Sequence, residues 1–237
     1  MTGKGSVRRT ADVIQPPITA DYPCPLCGQN GNKSLVHRTR KGRRYWHCHH
    51  CELIFVDPAA RPDRHLEEDL YQQHRNSPEH PGYVSFLRRI IDPALPLLSH
   101  AMRGLDYGCG PGPTLSVLLQ QEGLTCHDYD PLFFPDLPTG PFDFIFATEC
   151  FEHFHTPARE MRRLNSLLSI NGYLFVMTNL WHKDVELRTW TYLCDPTHVS
   201  FYHQRTFEHI CREYGFKLIA SYDGRILLLQ KKEQPAG

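Results

Sequence analysis

The chain has no apolar run long enough to cross a membrane. Its longest, Tyr173–Met177 and Ile226–Leu229, fall far short of the ~18 consecutive apolar residues a membrane helix needs. It also lacks an apolar segment near its start: Met1–Thr10 is polar and basic, so no export signal is expected and the chain reads as cytoplasmic. A net charge is missing as well, with 26 basic against 26 acidic side chains. What is present, 41% apolar and 22% charged residues, is the composition of a globular protein rather than a disordered one. A collagen, a coiled coil, a membrane protein and a small disulfide scaffold are excluded. At 237 residues the chain has room for one ordinary domain, or one domain and a small module.

The zero net charge conceals a division. Residues 1–50 hold nine Lys/Arg and two acids, while the rest of the chain holds 17 basic and 24 acidic residues. Such a split suggests two modules with different partners, or two that dock through opposite charge.

Nine cysteines are an odd number for a chain without an export signal. Four are grouped as Cys24-Pro-Leu-Cys27 and Cys48-His-His-Cys51, with twenty residues between the pairs. A two-residue gap lets one tight turn aim both sulfurs at a single ion, and two such turns complete a tetrahedral site. Gly28 suits the left-handed backbone such a turn requires. The spacing therefore predicts a zinc ribbon with strands near Leu35–His37 and Tyr45–His47, finished by Glu52–Val56. Four thiolates leave no open position, so the zinc should be structural, with His47, His49 and His50 as weaker competitors. Cys109, Cys126, Cys150, Cys194 and Cys211 read as small buried apolar residues in a reducing compartment. Arg38-Thr-Arg-Lys-Gly-Arg-Arg44 falls at the hairpin tip. It is either a solvated tip with Trp46 packed beneath, or a nucleic-acid contact with Tyr45 and Trp46 stacking on bases.

Beyond the Pro-rich linker Asp57–Pro62, a short helix is expected over Arg64–His74 and a second over Tyr83–Ile91, kinked by Pro93 and Pro96. From residue 103 strands and helices alternate. Strands are expected at Gly104–Tyr107, Leu124–Tyr129, Phe142–Thr148 and Tyr173–Thr178, with helices at Thr114–Glu122, Thr156–Leu168 and Thr206–Tyr214. Thr156 is a plausible N-cap for the second of these, with Pro157 at its first position and Asn171-Gly172 closing it. Phe216–Ser221 and Arg225–Gln230, joined by Asp223-Gly224, form a hairpin. The pattern predicts an α/β fold with an open, mostly parallel sheet and one antiparallel strand. The domain reading is a flexible tail over 1–20, the zinc ribbon over 21–57, linker and lid helices over 58–100, and the main domain over 101–237.

Leu105-Asp-Tyr-Gly-Cys-Gly-Pro-Gly-Pro113 is a strand running into a glycine turn, a device that lets backbone approach a ligand closely. The Gly-Lys-Ser/Thr ending of a P-loop is missing. Asp106 at the strand end suits a cationic ligand, and Asp130, after the second strand, can accept hydrogen bonds from both ribose hydroxyls. At these residues the chain resembles the class I S-adenosylmethionine-dependent methyltransferases. The likeness lies in the first motif, Asp106, Tyr107, Gly108, Cys109, Gly110 and Gly112, and in Asp130. It extends to Phe142-Asp-Phe-Ile-Phe-Ala-Thr-Glu-Cys-Phe-Glu-His153 and to Pro196-Thr-His-Val-Ser-Phe-Tyr202, which resemble the ubiquinone-biosynthesis-like branch. The resemblance implies a Rossmann-like domain over roughly 80–232, S-adenosylmethionine as cofactor, and Glu149 as a further cofactor contact. One departure stands out. Only eleven residues, Pro131–Pro141, separate Asp130 from Phe142, too few for the family's third strand and its helix. A six-stranded sheet with strand 2 at an edge is expected; the family's adenine-contacting acid has no secure equivalent, and Asp136 is a candidate for it.

Methyl transfer needs alignment above all, and a neutral acceptor must also lose a proton. His153 and His198 are the candidate catalytic residues, with His155 a third. Glu152 is expected to cap the following helix, and the helix begun by Tyr83 to form a lid. The favoured acceptor is a small molecule methylated on oxygen or carbon. The alternative is an RNA or protein docked by the basic ribbon. Glu149-Cys-Phe-Glu-His153 stands where base-amino methyltransferases carry an Asn/Asp-Pro-Pro-aromatic motif, which counts against DNA N-methylation.

Overall fold

The computed structural model describes residues 22–73 and 76–233, so the expected tail over 1–20 lies outside the described residues. The chain begins with three short strands, β1 (Lys33–Arg38), β2 (Arg44–Cys48) and β3 (Ile54–Val56), then helices α1 (Arg64–Tyr71) and α2 (Pro81–Ala94). Next come β4 (Arg103–Tyr107), α3 (Thr114–Gln121), β5 (Thr125–Tyr129), β6 (Phe142–Thr148), α4 (Pro157–Leu167) and β7 (Leu168–Met177). The two-residue strand β8 (Ser200–Phe201), α5 (Gln204–Glu213), β9 (Phe216–Tyr222) and β10 (Ile226–Lys231) complete it.

Six strands form the main sheet in the order β5-β4-β6-β7-β10-β9. The β4–β5, β4–β6 and β6–β7 pairs are parallel, and β10 runs antiparallel to both neighbours. Residues 131–141 add neither helix nor strand, only a bridge between Asp130 and Phe134, so β5 is an edge as its short connection requires. The chain leaves β4 towards β5 and returns to β6 on the other side. This reversal opens a crevice at the carboxyl ends of the strands, the usual ligand position in such sheets.

Alternation along the strands feeds two apolar layers. Phe144, Phe146, Phe175, Met177 and Leu228 face α2 and α3, whose Leu87, Ile90, Ile91, Leu115, Leu118 and Leu119 cover them. Leu105, Tyr107, Ile145, Ala147, Leu174, Val176 and Leu227 face α4 and α5. The N-terminal module belongs to this second layer: Cys24, Leu26, Trp46, Cys48, Cys51, Leu53 and Phe55 share it with Tyr202, Phe207 and Ile210. Its sheet, β1-β2-β3, gains β8 as a fourth strand through Ile54–Phe201 and Phe55–Ser200 pairing. Ribbon and α/β domain are therefore built on one core. No strand is expected at 196–202 from the sequence, because a two-residue strand carries no periodicity of its own.

Several expectations are corrected. The α4 helix ends at Leu167, and its last turn is closed by the Leu168 amide on the Asn165 and Leu164 carbonyls. Asn171-Gly172 sits instead within β7, where Asn171 takes φ 63° and the register to β6 shifts between Phe142 and Phe144. Thr156 is the N-cap, but its side chain makes no capping hydrogen bond. Pro93 lies inside α2, which starts two residues earlier than expected and runs on to Ala94. Cys109, Cys126 and Cys150 are buried as expected, whereas Cys194 is exposed and Cys211 half-buried. Among the described residues no helix is long and apolar enough to cross a membrane.

Candidate functional site

A cavity of about 870 Å³ opens at the carboxyl ends of β4, β5 and β6. That volume lies within the ~300–1,000 Å³ typical of small-molecule sites. Its floor is the glycine turn. The Gly108 and Cys109 amides donate to the Tyr129 carbonyl at 2.8 and 3.2 Å, folding the turn against the end of β5. Gly108 takes φ 85°, and a Cβ there would stand 2.7 Å from the Cβ of Cys150, so neither the backbone nor the space admits another residue. Gly110, at φ 67°, donates its amide to Asp130 Oδ2 at 3.1 Å. The other Asp130 oxygen accepts the amides of Leu132 and Phe133 at 2.8 and 3.2 Å.

Acids surround this floor. Asp106 is 3% exposed. Burial first, then the charges of Asp128 and Asp130, push its carboxyl well above the usual carboxylate range. Glu149, held at φ 49° just beyond β6, is raised to about 8 by burial and by Glu152, against the pull of Arg225 and Arg89. Its Oε1 accepts from Arg225 Nη1 at 3.1 Å. Thr148 Oγ1, Asp128 Oδ1 and Glu152 Oε1 are buried without a hydrogen-bond partner among the described residues. A cluster of carboxylates that cannot all ionise, with orphaned oxygens among them, is an environment that a cationic ligand rich in hydroxyl and amino groups would relieve. S-Adenosylmethionine has that character.

The histidines form the opposite wall. His153 Nδ1 is 2.9 Å from Tyr71 Oη and 3.2 Å from the Thr197 carbonyl oxygen, and burial lowers its pKa. The His198 ring packs edge-on against it at 4.8 Å, with Nδ1 2.7 Å from the Tyr192 carbonyl oxygen. Donor atoms of Glu152, His153 and His198 lie within 4.8 Å of one another, so this trio could hold a divalent cation. Glu152 does not cap α4. It is fully buried, and its Oε2 accepts from Thr178 Oγ1 at 2.8 Å. His155 also lines the cavity, but its Nε2 pairs with Glu67 at 2.8 Å. The cover comes from α1 and α2 through Tyr71, Tyr83, Phe86 and the intervening Asn76.

Of the expected cofactor residues, Tyr107, Gly108, Cys109, Gly110, Asp130 and Glu149 line the cavity. Asp106 and Gly112 do not; Gly112 lies under Asn76, whose carbonyl oxygen a Cβ would meet at 2.1 Å. Asp136 is exposed and outside the lining, where Leu132 stands instead.

The four ribbon cysteines converge. Their sulfurs lie within 4.8 Å of one another, with Cys24–Cys51 and Cys27–Cys48 at 3.6 Å. A tetrahedral ion with metal–sulfur bonds of ~2.3 Å needs sulfur–sulfur edges of ~3.8 Å, so the donor set fits zinc. Hydrogen bonds shared among the four sulfurs drive Cys24 and Cys51 up and Cys27 and Cys48 down, since four thiolates cannot share this volume without a cation. None of the three neighbouring histidines belongs to the set.

Comparison with known proteins follows the same line. Residues 71–221, well over half of the chain, match the family model described as "Methyltransferase domain". The chain belongs to that family. It is a class I, S-adenosylmethionine-dependent methyltransferase. Among solved structures, a chain from the complex of the Haloferax volcanii Trm112 methyltransferase activator with a methyltransferase is 13% identical at a TM-score of 0.50. That match covers 70% of this chain and 97% of that one. A SAM-dependent methyltransferase from Archaeoglobus fulgidus is 16% identical, with 71% and 100% covered, at a TM-score of 0.48. The magnesium protoporphyrin IX methyltransferase of Synechocystis PCC 6803, solved with bound SAH, is 14% identical, with 64% and 84% covered, at 0.43. No curated protein matches the chain by sequence.

Within this methyltransferase, some site residues escaped the sequence reading. Arg225 follows the Asp223-Gly224 turn, where the sequence signals only the start of a strand. Tyr71, Thr178 and Tyr192 reach the histidines and Glu152 from three separate segments, and no local spacing announces such a meeting. The basic hairpin follows the solvated-tip reading in that Arg38, Arg40 and Lys41 are exposed and Trp46 is packed beneath, and departs from it at two residues. Arg44 pairs with Asp57, and Arg43 Nη2 donates to the His198 carbonyl at 2.6 Å. Tyr45 and Trp46 are buried, so neither ring is available to stack on a base.

Proposed function

We propose that this chain methylates an oxygen or carbon of a small molecule held beside His153 and His198, and that Cys24, Cys27, Cys48 and Cys51 hold a structural zinc ion. The carrying observation is the single cavity in which an acid-lined floor faces a histidine wall. S-Adenosylmethionine, when bound, supplies a methyl carbon already activated by its sulfonium. Asp130, with the amides of the glycine turn behind it, orients the ribose. Glu149 and the buried Asp106 complement positive charge. Tyr71, Tyr83 and Phe86 exclude water, so that proximity and orientation supply most of the rate. His153, whose pKa burial lowers, stays neutral and able to take the acceptor's proton. Loss of Arg43, Arg44, Tyr45 and Trp46 to internal contacts favours a small acceptor over RNA. Labelled-methyl transfer into fractionated lysate, with and without RNase, tests this. Product in the RNase-sensitive macromolecular fraction would sink it.

A second reading of the same wall rests on the convergence of Glu152, His153 and His198, with Glu152 Oε1 unpartnered. Those three residues would hold a divalent cation, which would supply Lewis-acid polarisation of an acceptor oxygen. Activity abolished by a chelator and restored by one metal, with S-adenosylhomocysteine affinity unchanged, would favour this reading over proton abstraction by His153 alone.

A further inference from the structure

Beside the active-site cavity lies a second one of about 570 Å³, between the ribbon hairpin and the 187–196 segment. Its lining includes His37, Arg40, Lys41, Arg43 and Arg188 and not one carboxylate. Among the described residues none of the four Lys/Arg forms an ion pair. Asp195 is the acid whose charge reaches Arg43, and its Oδ1 is taken by the Thr197 amide and hydroxyl. Arg43 Nε is buried with no partner, although Arg43 Nη2 is satisfied by His198. A buried guanidinium N–H without a partner is costly, and an anion beside the guanidinium would offset its charge.

The two cavities share a wall. His198 lines the first, Cys194 and Pro196 line the second, and Arg43 bonds the His198 carbonyl between them. A ligand seated in the second cavity would therefore lie one backbone segment from the histidine wall. Several cations, including the forked guanidiniums of Arg40, Arg43 and Arg188, exceed what one carboxylate can use. They match a multiply charged tetrahedral anion. Trp190, half-buried at the rim, offers an apolar face beside them.

We propose that this second cavity binds the phosphate of a small phosphorylated acceptor, an inference that rests on the small-molecule reading above. Positive charge then has a place on an otherwise acidic catalytic domain, and the ribbon contributes part of the substrate site rather than an appended anchor.

The test titrates pyrophosphate, AMP and an eight-nucleotide single-stranded RNA into the full-length zinc-loaded protein by calorimetry. The variant is R40Q/K41Q/R188Q, three exposed side chains whose loss removes no core contact. Saturable pyrophosphate and AMP binding, weakened at least tenfold in the variant and by raised salt, is expected. S-Adenosylhomocysteine affinity, measured in the same samples, should be unchanged. RNA affinity close to that of AMP supports a small ligand, whereas RNA binding a hundredfold tighter overturns it. No saturable phosphate binding by the wild type, or equal binding by the variant, overturns the site. Intact S-adenosylhomocysteine binding in that case leaves the methyltransferase reading standing.

Discussion

Asp130 accepts the Gly110 amide at 3.1 Å and so ties the end of β5 to the turn after β4. The same carboxylate holds the Leu132 and Phe133 amides, which makes it a structural acceptor as well as a candidate ribose ligand. The two roles can be separated. Asp130→Asn keeps one acceptor oxygen and turns the other into a donor. Cofactor affinity should fall about tenfold, the worth of one hydrogen bond of ~1.4 kcal/mol, and the new donor, set against the Gly110 amide, should cost ~1 kcal/mol of stability. Asp130→Ala strands three amides and should cost a further ~1–3 kcal/mol of stability. Calorimetry with S-adenosylhomocysteine and thermal unfolding check both. Unchanged affinity in the Asn variant would remove Asp130 from the cofactor site.

Gly112 tests the cover. A methyl group there would stand 2.1 Å from the Asn76 carbonyl oxygen, which is backbone and cannot swing aside. Gly112→Ala must push the 76–80 segment off the glycine turn. The six-stranded sheet does not depend on that contact. We expect a cofactor dissociation rate raised severalfold with far-ultraviolet circular dichroism preserved. Wild-type release kinetics would show that Asn76 does not close the site.

Local pattern made much of this molecule legible. The glycine turn, the short 131–141 connection and the antiparallel β10 follow from residue spacing, and so does the convergence of Cys24, Cys27, Cys48 and Cys51. What stayed hidden was long-range pairing between unlike segments. Ser200–Phe201 becomes a strand only because Ile54 and Phe55 present a free edge. Glu152 looks like a helix cap until Thr178, 26 residues on, claims it in the core. Arg43 and Arg44 look like part of a solvated basic tip until Asp57 and the His198 carbonyl are found beside them. Asn171-Gly172 reads as a helix stop, yet β7 absorbs it as an irregularity because β6 is there to pair.

Glu149 gives a pH signature. Its carboxyl is raised to about 8 in the free protein, because burial penalises the charged form and Glu152 adds to it. Near neutral pH it is therefore mostly protonated. A cationic ligand favours the carboxylate and lowers its pKa in the complex, so binding releases a proton. Cofactor affinity should accordingly rise with pH from 6 to about 8, by up to tenfold per unit, and level off above. Calorimetry in two buffers of different ionisation enthalpy would register the released proton. Glu149→Gln should flatten the profile, whereas a flat wild-type profile would mean that Glu149 does not face the cofactor's charge.

The ribbon's place in the core decides what metal loss does. Binding of a structural zinc is worth roughly 10–16 kcal/mol in isolated finger peptides, far more than a ribbon hairpin can replace. Were the module an appendage, Cys48→Ser would unfold it and leave the methyltransferase transition where it was. Here Cys24, Cys48 and Cys51 pack in one cluster with Tyr202, Phe207 and Ile210. The Pro25 carbonyl also accepts the Ala158 amide at 3.2 Å, and the Glu52 carbonyl accepts from Trp181 Nε1 at 3.0 Å. Elemental analysis should therefore find one zinc per chain in the native protein and none in Cys48→Ser, and that variant should lower the single melting transition of the whole protein. Because β3 holds β8 two residues from His198, turnover of the acceptor should suffer more than S-adenosylhomocysteine affinity in any variant protein that remains folded. Two separate transitions, with the larger one unmoved, would show that ribbon and catalytic domain fold independently.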